Sequence, residues 1–193
     1  NGVQNPSHST APAVNCLLGI ANAKEAVLIV TVQVLCQSFQ NLPLIGFNDA
    51  WRYNASDANL AANWAASSHP VTGNWRSGNA PIGRESDPLP HPIVTSISPY
   101  TGATITYYFE REFSLSQSQL ASLDVLEMVH QIDDGAVIYL NGTEISRFHM
   151  PEGSMDPETL ASPSVGPSAT LVTVELPTTA LVAGSNRISV EVH

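Results

Sequence analysis

The stretch over residues 131–150 constrains the fold more than any other part of the chain. It contains two short runs, Ala136–Leu140 and Thr143–Phe148, that are rich in β-branched and aromatic residues, and such residues favour strands. Between the runs stands Asn141-Gly142, the dipeptide that best tolerates the two positive φ angles of a type I′ turn. The pattern therefore predicts an antiparallel β-hairpin.

The second half of the chain contains further short runs whose composition also favours strands. Residues 105–113, 123–132, 170–176 and 187–193 are each rich in Val, Ile, Leu or aromatic residues, and turn-forming residues or long loops separate them. No alternation of strands with long helical patterns is visible, which argues against a parallel sheet. We therefore predict an all-β protein, an antiparallel β-sandwich or jelly roll.

The apolar run over residues 26–36 predicts a further strand in the N-terminal part of the chain. Its valines and isoleucine favour a strand over a helix, and every second residue is apolar, which predicts one fully buried face. We interpret residues 1–43 as an extended N-terminal arm carrying this strand, and residues 44–193 as the sandwich. At about 11 residues the run is shorter than the roughly 20 that a bilayer span needs, so no membrane span is predicted.

The charge balance narrows the classes of partner. The chain holds 7 Lys and Arg against 17 Asp and Glu, a formal charge of −10, with Lys24 as its single lysine. A polyanion would be repelled, which excludes nucleic acid as an expected partner. Few charges and many small polar residues indicate a secreted or cell-surface protein. In that compartment Cys16 and Cys36 would form a disulfide; the alternative is two free buried thiols.

Several segments together resemble a known family. They are WRY at residues 51–53, NWRSGNAPIG at 74–83, ITYYFEREF at 105–113, DDGAVIYLNGTEISRFHMP at 133–151 and NRISVEVH at 186–193. This order is similar to that of the galactose-binding-like jelly-roll modules appended to secreted bacterial enzymes and surface proteins, over about residues 44–193. The resemblance implies a non-catalytic extracellular module that binds carbohydrate or a cell-surface glycan, or that mediates surface adhesion.

Two alternatives remain open beside that interpretation. Modules of this kind usually continue into one further strand after the final VEVH run, and the chain lacks it. The apolar strand could complete the sheet of a neighbouring subunit and so build an extracellular filament by donor-strand exchange. The residues that would form the assembly strand are Val27, Leu28, Ile29, Val30, Val32 and Val34. The second alternative is an accessory domain of a larger secreted hydrolase.

Candidate binding residues are few, and no catalytic set is predicted. Asp133 and Asp134 have two possible roles: to bind Ca²⁺ or sugar hydroxyls, or to stabilise the turn before Gly135 through backbone hydrogen bonds. The turn role is the favoured interpretation. No cofactor other than Ca²⁺ is expected. Trp75 is the tryptophan most expected to be exposed for stacking on a sugar ring, and Arg147 is a further ligand candidate. The motifs GxSxG and HExxH are absent from the sequence, so we predict a protein without enzymatic activity.

Overall fold

The computed structural model describes residues 27–28, 30–36, 41–56, 59–61, 63–98, 103–165 and 169–193. The predicted arm lies largely outside these residues, as do Cys16 and Ile29, and of the strand over residues 30–36 the side chains of Thr31 and Gln33 are described. The predicted Cys16–Cys36 disulfide therefore stays a prediction.

The described residues fold almost entirely into strands. In chain order these are β1 (Val27–Leu28), β2 (Val30–Cys36), β3 (Asn41–Ile45), β4 (Ala50–Asn54), β5 (Trp75–Asn79), β6 (Ile82–Gly83), β7 (Thr95–Ser96), β8 (Tyr107–Leu115), β9 (Leu123–His130), β10 (Ala136–Leu140), β11 (Thr143–Phe148), β12 (Val172–Leu176) and β13 (Gly184–Val192). A 3-10 helix spans Trp64–Ala66, and a short helix α1 spans Gln117–Ala121. The ends of α1 fit its sequence, because Ser116 and Gln119 form a capping box.

Two antiparallel sheets make the body of the protein. The larger has six strands in the order β11-β10-β13-β8-β4-β5, and the smaller has four in the order β12-β9-β2-β3. One hydrophobic core lies between them, with Phe109 and Val190 from the first sheet and Leu126 and Met128 from the second. A third, small sheet joins β1, β6 and β7. This architecture confirms the predicted all-β sandwich.

The hairpin at the centre of the sequence analysis is present as predicted. Strands β10 and β11 pair antiparallel, and their turn residues Asn141 and Gly142 have φ angles of 52° and 82°. Both positive values belong to a type I′ turn. The Asn141 side chain ties this turn to the chain around the start of β13. Its Nδ2 donates to the Ala180 carbonyl and to Asn186 Oδ1, and its Oδ1 accepts a hydrogen bond from the Arg187 backbone N–H.

The apolar strand pairs within its own chain. Strand β2 lies between β9 and β3, with Val32 opposite Met128 on one side and opposite Ile45 on the other. The sheet it joins thus combines residues from both sides of the predicted boundary at residue 44. Nothing in the described part of the chain supports insertion of this strand into a neighbouring subunit.

Within the described ranges, no helix has the length and apolar character that a bilayer span requires.

Candidate functional site

The face of the six-stranded sheet that points away from the core, here called the outer face, carries polar side chains. Along β13, Ile188, Val190 and Val192 belong to the core. Because side chains alternate along a strand, Ser189 and Glu191 lie on the opposite face. Both are nevertheless buried, so other parts of the chain cover the outer face at these two positions.

A cleft of about 300 Å³ lies on this outer face. Its floor comes from β8, β10, β11 and β13, where the sheet register sets Glu191 opposite Tyr108 and Tyr139 opposite Glu144. One wall comes from the segment around Trp64 and the other from the loop after β11. The lining residues are Asn59, Leu60, Trp64, Tyr108, Tyr139, Glu144, Arg147, Gly153, Ser154, Met155, Asp156, Pro157 and Glu191.

Three aromatic rings meet in the cleft. Trp64 contacts Tyr108 edge to face, with ring centroids 4.8 Å apart and an interplanar angle of 68°. It meets Tyr139 in the same manner at 5.8 Å and 77°. Edge-to-face packing is a favoured aromatic geometry, and it holds the three rings in fixed positions. Together they give the cleft an apolar wall next to its carboxylates.

Glu191 lies at the base of this aromatic group. The residue is 6% exposed, and its Oε1 accepts a hydrogen bond of 2.6 Å from the Tyr139 hydroxyl. Burial raises the pKa of Glu191, while its hydrogen bonds with Tyr139 and Trp64 act in the opposite direction. Burial also raises the pKa of Tyr139, and the Glu191 hydrogen bond adds to that effect. The pair is therefore a buried acceptor and its neutral donor.

Arg147 lies at the rim of the cleft and holds the following loop. Its Nε and Nη2 donate to the two carboxylate oxygens of Glu144 at 2.5 and 2.9 Å. Nη2 also donates to the Gly153 carbonyl at 2.7 Å, and Nη1 donates to the carbonyl of Pro151. This bidentate geometry is a strong form of ion pair, and the Glu144 hydrogen bond raises the pKa of Arg147.

Residues 63–69, which we call the cover segment, cross the outer face from the cleft to a second buried carboxylate. Arg187 Nη2 donates to the Ala65 carbonyl at 2.8 Å, and Arg52 Nη2 donates to the Ser68 hydroxyl at 2.7 Å. A Cβ on Gly142 would come within 2.8 Å of the Ala66 Cα, so the hairpin turn packs closely against the segment. The cover segment thereby fixes the position of Trp64.

Glu110 anchors the other end of the cover segment. Its side chain is fully buried and accepts hydrogen bonds from Arg52 Nε at 2.7 Å and from the His69 backbone N–H at 2.9 Å. The His69 ring Nδ1 lies 3.0 Å from Glu110 Oε2, and Arg187 Nε lies at 3.8 Å. A second hollow of about 290 Å³ lies above this group. The acceptors of Glu110 are occupied by protein donors.

The four predicted ligand residues do not form one group. Arg147 lines the cleft, but Trp75 does not. The expectation that Trp75 is exposed was wrong: it is 9% exposed, because the His69 ring stacks on it with centroids 4.4 Å apart. Asp133 and Asp134 are both buried, and Asp134 Oδ1 accepts a hydrogen bond from the Val165 backbone N–H at 2.7 Å. Whether any of the four binds a ligand stays a prediction.

The Ca²⁺ possibility at Asp133 and Asp134 gains no structural support. Within the described ranges, no group of three or more His, Cys, Asp or Glu side chains is arranged to hold a metal ion. The aspartates instead lie inside the protein, and Asp134 ties the loop at Val165 to the segment before β10.

Sequence reasoning singled out Arg147 among the cleft residues but missed Tyr139 and Glu191. Trp64, Tyr139 and Glu191 are separated by 52 or more positions along the chain, and no short motif links them. Tyr139 and Glu191 do stand at outward positions of their predicted strands. That alternation was the available signal, but it could not show which strands are neighbours.

The comparisons with known proteins found no matching family model and no matching curated protein. Among solved structures, similar chains include a β-glucuronidase of Bifidobacterium dentium (TM-score 0.46, 16% identity, 91% of this chain and 21% of that one). Others are a β-glucuronidase of an uncultured Clostridium sp. (0.44, 17%, 85% and 22%) and a β-D-mannosidase from Dictyoglomus thermophilum (0.42, 13%, 78% and 16%). The chain thus spans about a fifth of the length of these glycoside hydrolases. Similarity this weak carries no inference about ligand or activity.

Proposed function

We propose that this chain is a non-catalytic carbohydrate-binding module whose binding site is the outer-face cleft. The observation that carries the proposal is the aromatic group of Trp64, Tyr108 and Tyr139 beside buried Glu191 in a cavity of about 300 Å³. This volume lies at the small end of the range for small-molecule sites, which suits a single sugar unit.

The chemistry of the lining suits a sugar. A sugar ring has an apolar face that packs on an aromatic plane, and hydroxyl groups at its edge that need hydrogen-bond partners. The cleft offers aromatic rings and the carboxylates of Glu144 and Glu191 as acceptors. Because the cover segment and the Arg147 contacts fix both walls, little ordering cost would accompany binding.

A glycan array followed by calorimetric titration tests the proposal. We expect Trp64→Phe to weaken binding about tenfold, since about 1.4 kcal/mol of contact would be lost. Trp51→Phe is the matched control, because Trp51 is also buried but belongs to the core between the sheets and lies outside the cleft lining, and it should keep the wild-type affinity. Titration with EDTA and with added Ca²⁺ tests the expectation of a cofactor-free site. Equal loss in both tryptophan variants, or no glycan bound at all, would overturn the proposal.

The setting of this activity is also a proposal. The composition and the family resemblance support a secreted or cell-surface module that acts in adhesion or as an accessory domain of a larger hydrolase. Fusion of the chain to a reporter protein and measurement of its retention on intact cells or on polysaccharide tests this setting. Retention that free sugar competes away would support it, whereas retention unaffected by sugar would contradict it.

A further inference from the structure

The charges that line the cleft are unbalanced. Glu144, Asp156 and Glu191 are acidic, and Arg147 is the single basic residue among the described lining residues. The chain as a whole has a formal charge of −10, so the long-range field has the same sign as the cleft. An anionic ligand would meet repulsion both on approach and when bound.

Arg147 does not relieve this imbalance. A guanidinium recognises a carboxylate through two parallel N–H donors, and the Nε and Nη2 edge of Arg147 already binds both oxygens of Glu144. Its Nη1 donates to the Pro151 carbonyl. An incoming carboxylate would therefore find the bidentate edge occupied and the Glu144 carboxylate beside it.

Glu191 imposes the same preference deeper in the cleft. Its Oε1 faces the Tyr139 hydroxyl, which donates to it at 2.6 Å, so that hydroxyl proton is already committed. Beside the aromatic rings, the Glu191 carboxylate is therefore an acceptor, and the Tyr139 hydroxyl already donates its proton to that carboxylate. A ligand that brings its own donors, above all an ammonium group, complements them.

We propose that the cleft selects amino sugars over neutral sugars of the same skeleton, and rejects sugars that carry a carboxylate. This inference rests on the proposed carbohydrate-binding function and names its ligand class. The discrimination follows from Glu191, Asp156 and the internal Glu144–Arg147 pair. Because salt screens Coulomb interactions between exposed charges, the differences in affinity among the amino, neutral and acid sugars become smaller as ionic strength rises.

The test compares matched sugars. Methyl glycosides with an amino, a hydroxyl or a carboxylate group on the gluco, galacto and manno skeletons are titrated against the wild-type chain at low and at physiological salt. We expect the amino form to bind at least about tenfold more tightly than the acid form of the same skeleton, with the neutral form between them. Equal binding of acid and neutral forms overturns this inference alone. Failure of every form, together with an empty glycan array, overturns the proposed function as well.

A gain of binding separates the role of Arg147 from simple misfolding. Glu144→Ala frees the bidentate edge of Arg147, so the variant should bind the acid sugar at least about tenfold more tightly than the wild type. Glu152→Ala is the matched control, because Glu152 is an exposed carboxylate that acts on Arg147 through its charge but does not line the cleft. It should keep the wild-type ranking. Continued rejection of the acid sugar by Glu144→Ala would overturn the inference.

Discussion

Two buried glutamates on the same sheet face have opposite surroundings. Glu110 is surrounded by protein donors, from Arg52 and His69, with the Arg187 guanidinium nearby. Glu191 lies among aromatic rings and receives the Tyr139 hydroxyl. Both carboxylates are almost fully removed from water. The difference shows that burial beside a hollow does not identify a binding site, because each carboxylate borders one. The acceptors of Glu110 are satisfied by protein donors that hold the structure together, whereas Glu191 lies beside the aromatic group of the proposed site.

The cover segment joins these two environments. His69 contacts Glu110 at one end, and Trp64 forms the aromatic wall above Glu191 at the other. A change at the anchor should therefore reach the cleft through the four residues between Trp64 and His69. The predictions below separate anchor from site, beginning with the largest expected effect.

Replacement of the anchor should have the largest effect. Glu110→Gln removes the buried negative charge that faces the Arg52 and Arg187 guanidinium groups. This should lower the free energy of unfolding by about 3 kcal/mol. Urea denaturation monitored by tryptophan fluorescence measures the loss. Glu112→Gln is the control, because Glu112 also pairs with Arg52 but is largely exposed, so its loss should be under about 1 kcal/mol. Similar losses in both variants would contradict the distinction between anchor and exposed pair.

A change at the hairpin turn should displace the cover segment. Gly142→Ala places a Cβ within 2.8 Å of the Ala66 backbone at a φ of +82°, so we expect a loss of about 2 kcal/mol in unfolding free energy and weaker ligand binding. Gly73→Ala has a similar positive φ but open space around the new Cβ. Its cost should be about 1 kcal/mol, with binding unchanged. Thermal denaturation and titration of both variants make the comparison; equal costs would mean that the turn does not brace the segment.

Removal of one hydroxyl tests the site end of the comparison. Tyr139→Phe deletes the donor to Glu191 and should cost about 1 kcal/mol of stability. It should also raise the pKa of Glu191 further, because the Tyr139 hydrogen bond acts to lower it. Carboxyl-detected NMR titration measures that pKa. A lower pKa in the variant would show that the hydroxyl is not the principal donor to Glu191.

The smallest expected effect is on pH dependence. Burial raises the pKa of Glu191 above its ordinary value of 4.5, so the native state binds the proton more tightly than the unfolded state. Stability from this group is therefore fully present at low pH and is lost as pH rises from 4.5 through the raised pKa. Glu191→Gln should lack that decline, whereas Glu175→Gln on the exposed side of β12 should retain it. Urea denaturation from pH 4 to pH 7 provides the measurement; identical pH profiles for Glu191→Gln and the wild type would refute the prediction.

The predicted strands matched the structure where local chemistry decides. The hairpin strands Ala136–Leu140 and Thr143–Phe148 have their predicted ends, because Asn141-Gly142 fixes the turn and the pairing of Leu140 with Thr143 beside it. The sequence did not predict the register shift between Ile138 and Tyr139. The strand predicted at 187–193 begins earlier, at Gly184, because residues 184–186 continue the pairing with β8. Trp75 was misjudged because its neighbours in sequence are polar, whereas the residue that covers it, His69, comes from the cover segment.

By itself, the sequence determined the β class, the type I′ hairpin, and the alternation that sends Tyr139 and Glu191 to one face of their strands. These properties depend on backbone preferences and on a period of two residues, both of which are local. Only the tertiary structure decided that β13 lies between β10 and β8 and that the cover segment closes over their outer face. Which strands lie next to each other depends on how apolar surface from the whole chain is buried. The aromatic cleft and the contrast between Glu110 and Glu191 therefore exist only after folding.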